Sequence, residues 1–248
     1  MSSETNFLLA IEDLTVSFDG FKAVDSLNFY MDRNELRVII GPNGAGKTTV
    51  LDLICGKTRA TAGSIKFKNH ELLGMAEHKI VHSGVGRKFQ TPSIYENLTV
   101  FENLELSYPA GQSVFGTLAF RRTPEVIARI TEVAESIYLK EMLDVEGAFL
   151  SHGQKQWLEI GMLLMQAPEL LMLDEPVAGM SPAEREQTAE LLKRICENRS
   201  ILIIEHDMEF VSRIAHKVTV LHLGKILAEG SMTEIQNNER VQDVYLGH

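Results

Sequence analysis

Gly41-Pro42-Asn43-Gly44-Ala45-Gly46-Lys47-Thr48-Thr49 fits the pattern G-x-x-x-x-G-K-[ST], and it stands between a β-type run and a helical one. Val38-Ile39-Ile40 reads as a buried strand ending at Gly41, and Val50, Leu51, Leu53 and Ile54 recur at helical spacing after Lys47. The glycines let consecutive backbone N–H groups turn toward one point with no Cβ in the way. A helix beginning near Lys47 adds its partial positive charge there, so the loop is an anion cradle. Lys47 would reach the β- and γ-phosphates of a nucleotide, and the Thr48 hydroxyl would ligate Mg²⁺, one being a compact cation and the other a short oxygen ligand. The plainer alternative, a glycine-rich turn with an incidental lysine, does not account for the strand and helix on either side.

The rest of the chain is compatible with a compact enzyme built around that loop. Its 248 residues with 44% apolar content can bury a full core, and the length corresponds to about one to two domains. The formal charge of −10 argues against non-specific nucleic-acid binding, which depends on lysine and arginine patches. Cys55 and Cys196 lie far apart with no C-x-x-C spacing, so they read as buried thiols in a reducing compartment, not as a zinc site or disulfide. The start Met1-Ser2-Ser3-Glu4-Thr5 lacks the basic region of a signal peptide, and no apolar run approaches the ~20 residues that span a bilayer. A cytosolic chain is expected, one that reaches a membrane only through a protein partner.

Leu8 to Phe18 and Val24 to Met31 read as antiparallel strands around the turn Asp19-Gly20. Phe18 and Phe21 flank that turn, and Phe18 is a candidate to stack on a nucleotide base, although an aromatic in a hairpin more often packs a core. Gly84 to Gln90 is a short strand ending in a polar amide. His70, His78 and His82 have no carboxylate or cysteine at ligand spacing and read as solvated. From Thr99 to about Phe149 helical periodicity takes over, broken at Pro109-Ala110-Gly111 and at Pro124. This segment is expected to be a helical insertion between two parts of a nucleotide-binding core, about 7-98 and 150-248. Arg121-Arg122 within it reads as a solvated face.

Leu150-Ser151-His152-Gly153-Gln154 precedes an amphipathic helix through Trp157, Leu158, Ile160 and Leu164, which puts Ser151 at the N-cap. The same hydroxyl, with the free N–H groups of a helix start, is also a second anion site suited to a terminal phosphate. Leu170-Leu171-Met172-Leu173 is a continuous apolar run of parallel-strand type that ends in Asp174-Glu175-Pro176. In phosphate-loop proteins an aspartate here holds Mg²⁺, and a carboxylate one residue on can orient or deprotonate a water. Ser200 to Ile204 is another such run, ending at Glu205-His206-Asp207, so His206 emerges at the same sheet edge as Asp174. Alternating βα units with ligand groups at strand C-termini describe a doubly wound α/β sheet. Val218 to Glu229 reads as a hairpin about Gly224, followed by a short terminal helix.

Taken in order, these landmarks resemble the ATP-binding cassette (ABC) ATPases over nearly the whole chain. The resemblance implies an α/β phosphate-loop NTPase core with a parallel sheet, an antiparallel β subdomain and an inserted helical subdomain, hydrolysing ATP with Mg²⁺. By resemblance Gln90 senses the γ-phosphate and Mg²⁺ and couples to a membrane partner, Glu175 is the catalytic base, and His206 contacts the γ-phosphate. Ser151 and Gly153, with Gln154 beside them, would contact ATP held by the opposite subunit of a dimer.

Gly86-Arg87-Lys88-Phe89-Gln90, Leu98-Thr99-Val100-Phe101-Glu102-Asn103-Leu104 and Ala228-Glu229-Gly230 are similar to the importer group for branched-chain amino acids and its urea-transporting relatives. Leu150 to Gly161 and Glu205 to Val211 look most like the ATPase of urea importers, so urea uptake is the expectation and branched-chain amino acid uptake the alternative. The resemblance implies transmembrane permease subunits, a second and different cassette as dimer partner, a periplasmic solute-binding protein, and a place on the cytoplasmic face of the inner membrane. His152 stands where the common signature has glycine, and Ser181 where the loop after the glutamate usually has aspartate. A lipopolysaccharide-exporter ATPase, a DNA-repair ATPase and a small-molecule kinase are competing readings. The sequence around Gln90 and His152 disfavours the first, the acidic charge the second and the serine-glycine signature the third.

Overall fold

The computed structural model describes residues 7–88, 93–109 and 122–246, so the expectations for Gln90 and Arg121 lie outside the described residues. β1 (Leu9–Phe18) and β2 (Phe21–Met31) pair antiparallel from Leu9↔Met31 to Phe18↔Phe21. The turn between them is Asp19-Gly20, both at positive φ, 49° and 90°, which is the Asp-Gly chemistry of a two-residue hairpin. β3 (Leu36–Ile40) leaves this layer for a second sheet, whereas β4 (Ala62–Phe67) and β5 (His70–Glu71) complete the first in the order β2-β1-β4-β5.

The second sheet has the order β10-β9-β3-β8-β7-β6, built from β3 with β6 (Val85–Lys88), β7 (Leu170–Asp174), β8 (Ser200–Ile204), β9 (Lys217–His222) and β10 (Lys225–Gly230). All neighbours run parallel except β10, which returns antiparallel on β9 after the turn Leu223-Gly224. Successive strand residues face opposite sides, so both faces must be covered where the run is apolar throughout. Val38, Leu171, Leu173, Ile201 and Ile203 enter one core. Ile39, Leu170, Met172, Leu202 and Ile204 enter the other, with the antiparallel sheet.

The helices are α1 (Lys47–Ile54), α2 (Glu77–His82), α3 (Val100–Leu106), α4 (Pro124–Ser136), α5 (His152–Met165), α6 (Pro182–Cys196), α7 (Met208–Ile214), α8 (Met232–Gln236) and α9 (Glu239–Leu246). Thr99 and Glu102 close a capping box on α3, and Thr123 caps α4 with Pro124 in its first turn. α3 and α4 pack on α5, and Gly161 permits the approach: a Cβ there would stand 2.5 Å from Ile137 Cδ1. Two details differ from the sequence reading. The tail after β10 makes two helices, separated at Asn237-Asn238, and Glu77–His82 is helical although its six residues give periodicity little to act on.

Candidate active site

β3 delivers Gly41 to the C-terminal edge of the parallel sheet, and α1 begins at Lys47 with Gly46 as its N-cap in the left-handed region, φ 100°. A Cβ on Gly46 would collide with the Ala23 carbonyl oxygen, and one on Gly41 with that of Leu221. Both positions are therefore closed to side chains. The Lys47 ammonium folds over the loop, donating to Gly41 O at 2.8 Å and Pro42 O at 3.0 Å. Burial pulls its pKa down, and the Glu175 and Asp174 carboxylates pull it back. Ala23 belongs to β2, so its contact with Gly46 sets the hairpin tip, where Phe18 is 51% exposed, beside the phosphate loop. From α9, the Tyr245 hydroxyl lies near Gly41 N–H, and burial pushes its pKa up to about 12. Nothing at position 245 signals that role in the sequence, because the contact is made by the far end of the chain.

Asp174 ends β7 and is buried, which raises its pKa, while the nearby Arg87 and, less strongly, the Thr48 hydroxyl beside the carboxylate oppose the shift. Arg87 Nη2 lies 4.0 Å from Asp174 Oδ2, and its Nη1 donates to Asp52 Oδ1 at 2.6 Å. Thr48 and Asp174 thus bring two hard oxygen donors together beside Lys47. That donor set fits Mg²⁺, which takes one or two protein oxygens and fills its octahedron from phosphate and water. Glu175 has φ 48°, a left-handed conformation in a residue other than glycine, and its N–H donates to Ile204 O at 3.0 Å. His206 Nδ1 stands 3.6 Å from Glu175 Oε1 on a side chain 68% exposed.

The sequence reading gave Glu205 no role. It is 1% exposed, and its carboxylate accepts from His206 N at 2.9 Å, Asp207 N at 3.3 Å and Val177 N at 3.3 Å. One buried carboxylate therefore ties the His206 turn to the loop after Glu175, and burial raises its pKa. An ionisable residue closing an apolar strand was the signal that could have found it.

Ser151 caps α5, with Oγ accepting from Gln154 N at 3.2 Å, and Gln154 Oε1 accepts from Ser151 N at 2.8 Å. The Gln154 carbonyl is thus spent within the capping box, and its amide nitrogen donates to Met142 Sδ at 3.4 Å. Ser151 Oγ donates to Glu184 Oε1 at 3.0 Å. His152 turns into its own chain, with Nε2 3.1 Å from Ala178 O and the ring against Gly179. None of the hydrogen bonds of Ser151, His152 or Gln154 reaches the phosphate loop. The structure therefore brings Lys47, Thr48, Asp174, Glu175 and His206 together, while the hydrogen bonds of the α5 start are made to its own turn, to Met142, to Ala178 and to Glu184. Deeper in α5, Glu159 lies 3.4 Å from the fully buried Lys88 ammonium that ends β6, and it also accepts from Ser93 N at 3.3 Å.

A glycine cradle with its lysine, a Thr–Asp oxygen pair and a carboxylate at the next strand end define a phosphate-loop ATPase of the cassette type. The ABC transporter family model matches residues 24–178, and a model described as branched-chain amino acid ATP-binding cassette transporter matches 225–248. The chain belongs to the ABC transporter family, as one of its ATP-binding, ATP-hydrolysing subunits. It is 35% identical to the high-affinity branched-chain amino acid transport ATP-binding protein BraF of Pseudomonas aeruginosa, over 97% of this chain and 98% of that one. To the protein of the same description, LivG, of Salmonella typhimurium it is 36% identical with the same coverages. Two solved structures of an ATP-binding cassette from an ABC transporter, one nucleotide-free and one in the ADP conformation, superpose with TM-score 0.86 at 28% and 29% identity, each covering 98% of this chain and 100% of the other.

Proposed function

We propose that the chain is the ATP-hydrolysing subunit of an importer for branched-chain amino acids or a closely related small solute. The observation that carries this is its likeness to LivG and BraF along nearly its whole length, including the C-terminal segment that matches the branched-chain model. Those names favour amino acids over the urea suggested by Leu150 to Gly161 and Glu205 to Val211. No helix among the described residues is long and apolar enough to cross a membrane, so on this reading permease subunits supply the path and the chain works beneath them on the cytoplasmic face. A second, related cassette pairs with it, and a periplasmic solute-binding protein delivers the solute from the other side.

Within that reading the loop amides from Gly41 to Thr49 and Lys47 hold the β- and γ-phosphates, and Phe18 stacks on the base. Glu175 takes a proton from the attacking water as its oxygen bonds to the γ-phosphorus and the bond to the ADP oxygen breaks. His206, beside Glu175, orients on the γ-phosphate, and Gln90 reports to the permease. Thr48, Asp174 and Gln90 would hold Mg²⁺, which would supply positive charge to offset that of the phosphates. The helical segment 99-149 serves as an arm that receives a cytoplasmic helix of the permease, with Leu106 and Phe149, and the nearby Tyr95, as its exposed apolar contacts. The test is to co-purify the chain with its membrane neighbours and binding protein and to measure ATP turnover with leucine, valine or urea. Stimulation by the amino acids supports the proposal; stimulation by urea alone restores the other solute, and solute-independent turnover sinks both.

A further inference from the structure

α6 begins with a capping box in which Ser181 N and Ser181 Oγ both donate to Glu184 Oε2, each at 2.8 Å, while Glu184 N donates to Ser181 Oγ at 3.3 Å. That motif needs a single carboxylate oxygen. The second, Oε1, is directed away from α6 to the start of α5, where it accepts the Ser151 hydroxyl proton at 3.0 Å. It also lies over Gly153: a Cβ on that residue would stand 2.6 Å from the Glu184 carboxyl carbon. The Ser181 backbone and hydroxyl bonds hold the Glu184 carboxyl below the usual carboxylate range, with Ser151 and His152 adding to the effect. A full negative charge from the same chain therefore rests on the helix start whose serine and free amides suit an anion.

We propose that Glu184 is a positioning residue for the nucleotide reaction: it holds the Ser151 hydroxyl against the N-terminus of α5 until a nucleotide phosphate displaces it. This rests on the reading that Ser151 meets ATP bound to the opposite subunit. A serine hydroxyl has one proton to give, and here Glu184 has it. An arriving γ-phosphate meets an occupied donor and a like charge, so closure requires the Glu184 side chain to swing off Ser151. That movement is coupled to the loop after the catalytic carboxylate, because Glu184 also grips Ser181 and because His152 Nε2 lies 3.1 Å from Ala178 O in the same loop. The two positions that depart from the common cassette pattern, His152 and Ser181, are both parts of this intrachain link. Ser181 donates to Glu184 from its hydroxyl, which an aspartate would not do.

The experiment compares steady-state ATP hydrolysis by the native complex carrying Glu184→Gln, Glu184→Asp, Ser151→Ala and the double variant Ser151→Ala with Glu184→Gln. Glutamine keeps the cap acceptor and removes the charge, whereas aspartate keeps the charge and cap but is too short to reach Ser151. Both single changes at 184 are expected to lower KM for ATP about threefold to tenfold with kcat within about twofold, the scale of one charge-assisted hydrogen bond released. In the Ser151→Ala background the gain should vanish. Ser151→Ala with unchanged KM and kcat would remove the cross-subunit reading on which the proposal stands. Ser151→Ala with raised KM, together with Glu184 changes that leave KM unmoved, raise it, or act equally well without Ser151, would overturn the proposal and keep that reading. Thermal unfolding midpoints of the same variants separate a weakened α6 cap, which lowers the midpoint without lowering KM, from the expected effect.

Discussion

Glu175 and Lys47 stand in one site but differ in kind, and their variants should separate. Glu175 carries its carboxylate on a left-handed residue pinned to Ile204 O, so Glu175→Gln preserves that backbone and removes only the base. Turnover should fall by roughly 10²–10⁴ while ATP still binds. Lys47→Ala takes away the cation that now rests on Gly41 O and Pro42 O, so ATP affinity itself should drop. Equal losses of nucleotide affinity in both, measured by equilibrium titration, would reject this division. His152 is a second contrast, since its imidazole is engaged with Ala178 O inside the chain. His152→Gly should leave ATP turnover within about twofold and lower unfolding free energy by about 1 kcal/mol, the worth of one hydrogen bond. A loss of turnover tenfold or greater with unchanged stability would place the ring in the chemistry instead. The placement of Lys47, Thr48 and Asp174 was legible in the sequence because each is fixed by local spacing to the loop or strand that presents it. What was not legible is the reach of Glu205 to Val177 N and of Glu184 to Ser151, contacts that join segments remote in sequence.

At the scale of elements, the apolar runs 38–40, 170–173 and 201–204 announced their strands because both faces of the sheet are buried, and the cap at Ser151 announced its helix. What the runs could not announce is which charges are enclosed between elements. Lys88 of β6 and Glu159 of α5 are such a pair, with burial drawing the lysine pKa down and the glutamate pKa up. Glu159→Ala takes the carboxylate away from the fully buried Lys88 ammonium, so it should destabilise the protein by about 3 kcal/mol in denaturant unfolding. Lys88→Met combined with Glu159→Leu should cost much less, and equal costs would show that the charges matter little. A different pair of elements is joined on the surface, where Asp25 at the start of β2 binds Lys22 at 2.7 Å and Lys225 of β10 at 3.0 Å. The Lys22 hydrogen bond first, then that of Lys225, lowers the Asp25 pKa from 3.8 to about 2. A depressed carboxylate stabilises the fold above its unfolded pKa, and that contribution is lost as pH falls from 3.8 toward about 2. An NMR titration should find the Asp25 midpoint near the lower value and see it rise in Lys225→Met; no rise would mean that the hairpins are not linked through this ion.

For the whole molecule, the separation between the phosphate loop and the capped start of α5 governs what the chain can do alone. None of the hydrogen bonds of Ser151 or Gln154 reaches the loop, so on the proposed reading a single copy presents half of a composite site at each place. With a formal charge of −10, two copies carry like charge that opposes their association. The isolated chain should accordingly sediment mainly as a monomer and hydrolyse ATP slowly. Mixing it with its companion cassette should raise the rate, and the full membrane complex should raise it again only when the binding protein carries its solute. If the Glu175→Gln variant of this chain alone forms a stable ATP-dependent dimer, as seen by light scattering, then two copies suffice and a different cassette is not required. If turnover in the full complex responds to leucine or valine and ignores urea, the solute follows the relatives whose length and C-terminal segment this chain shares.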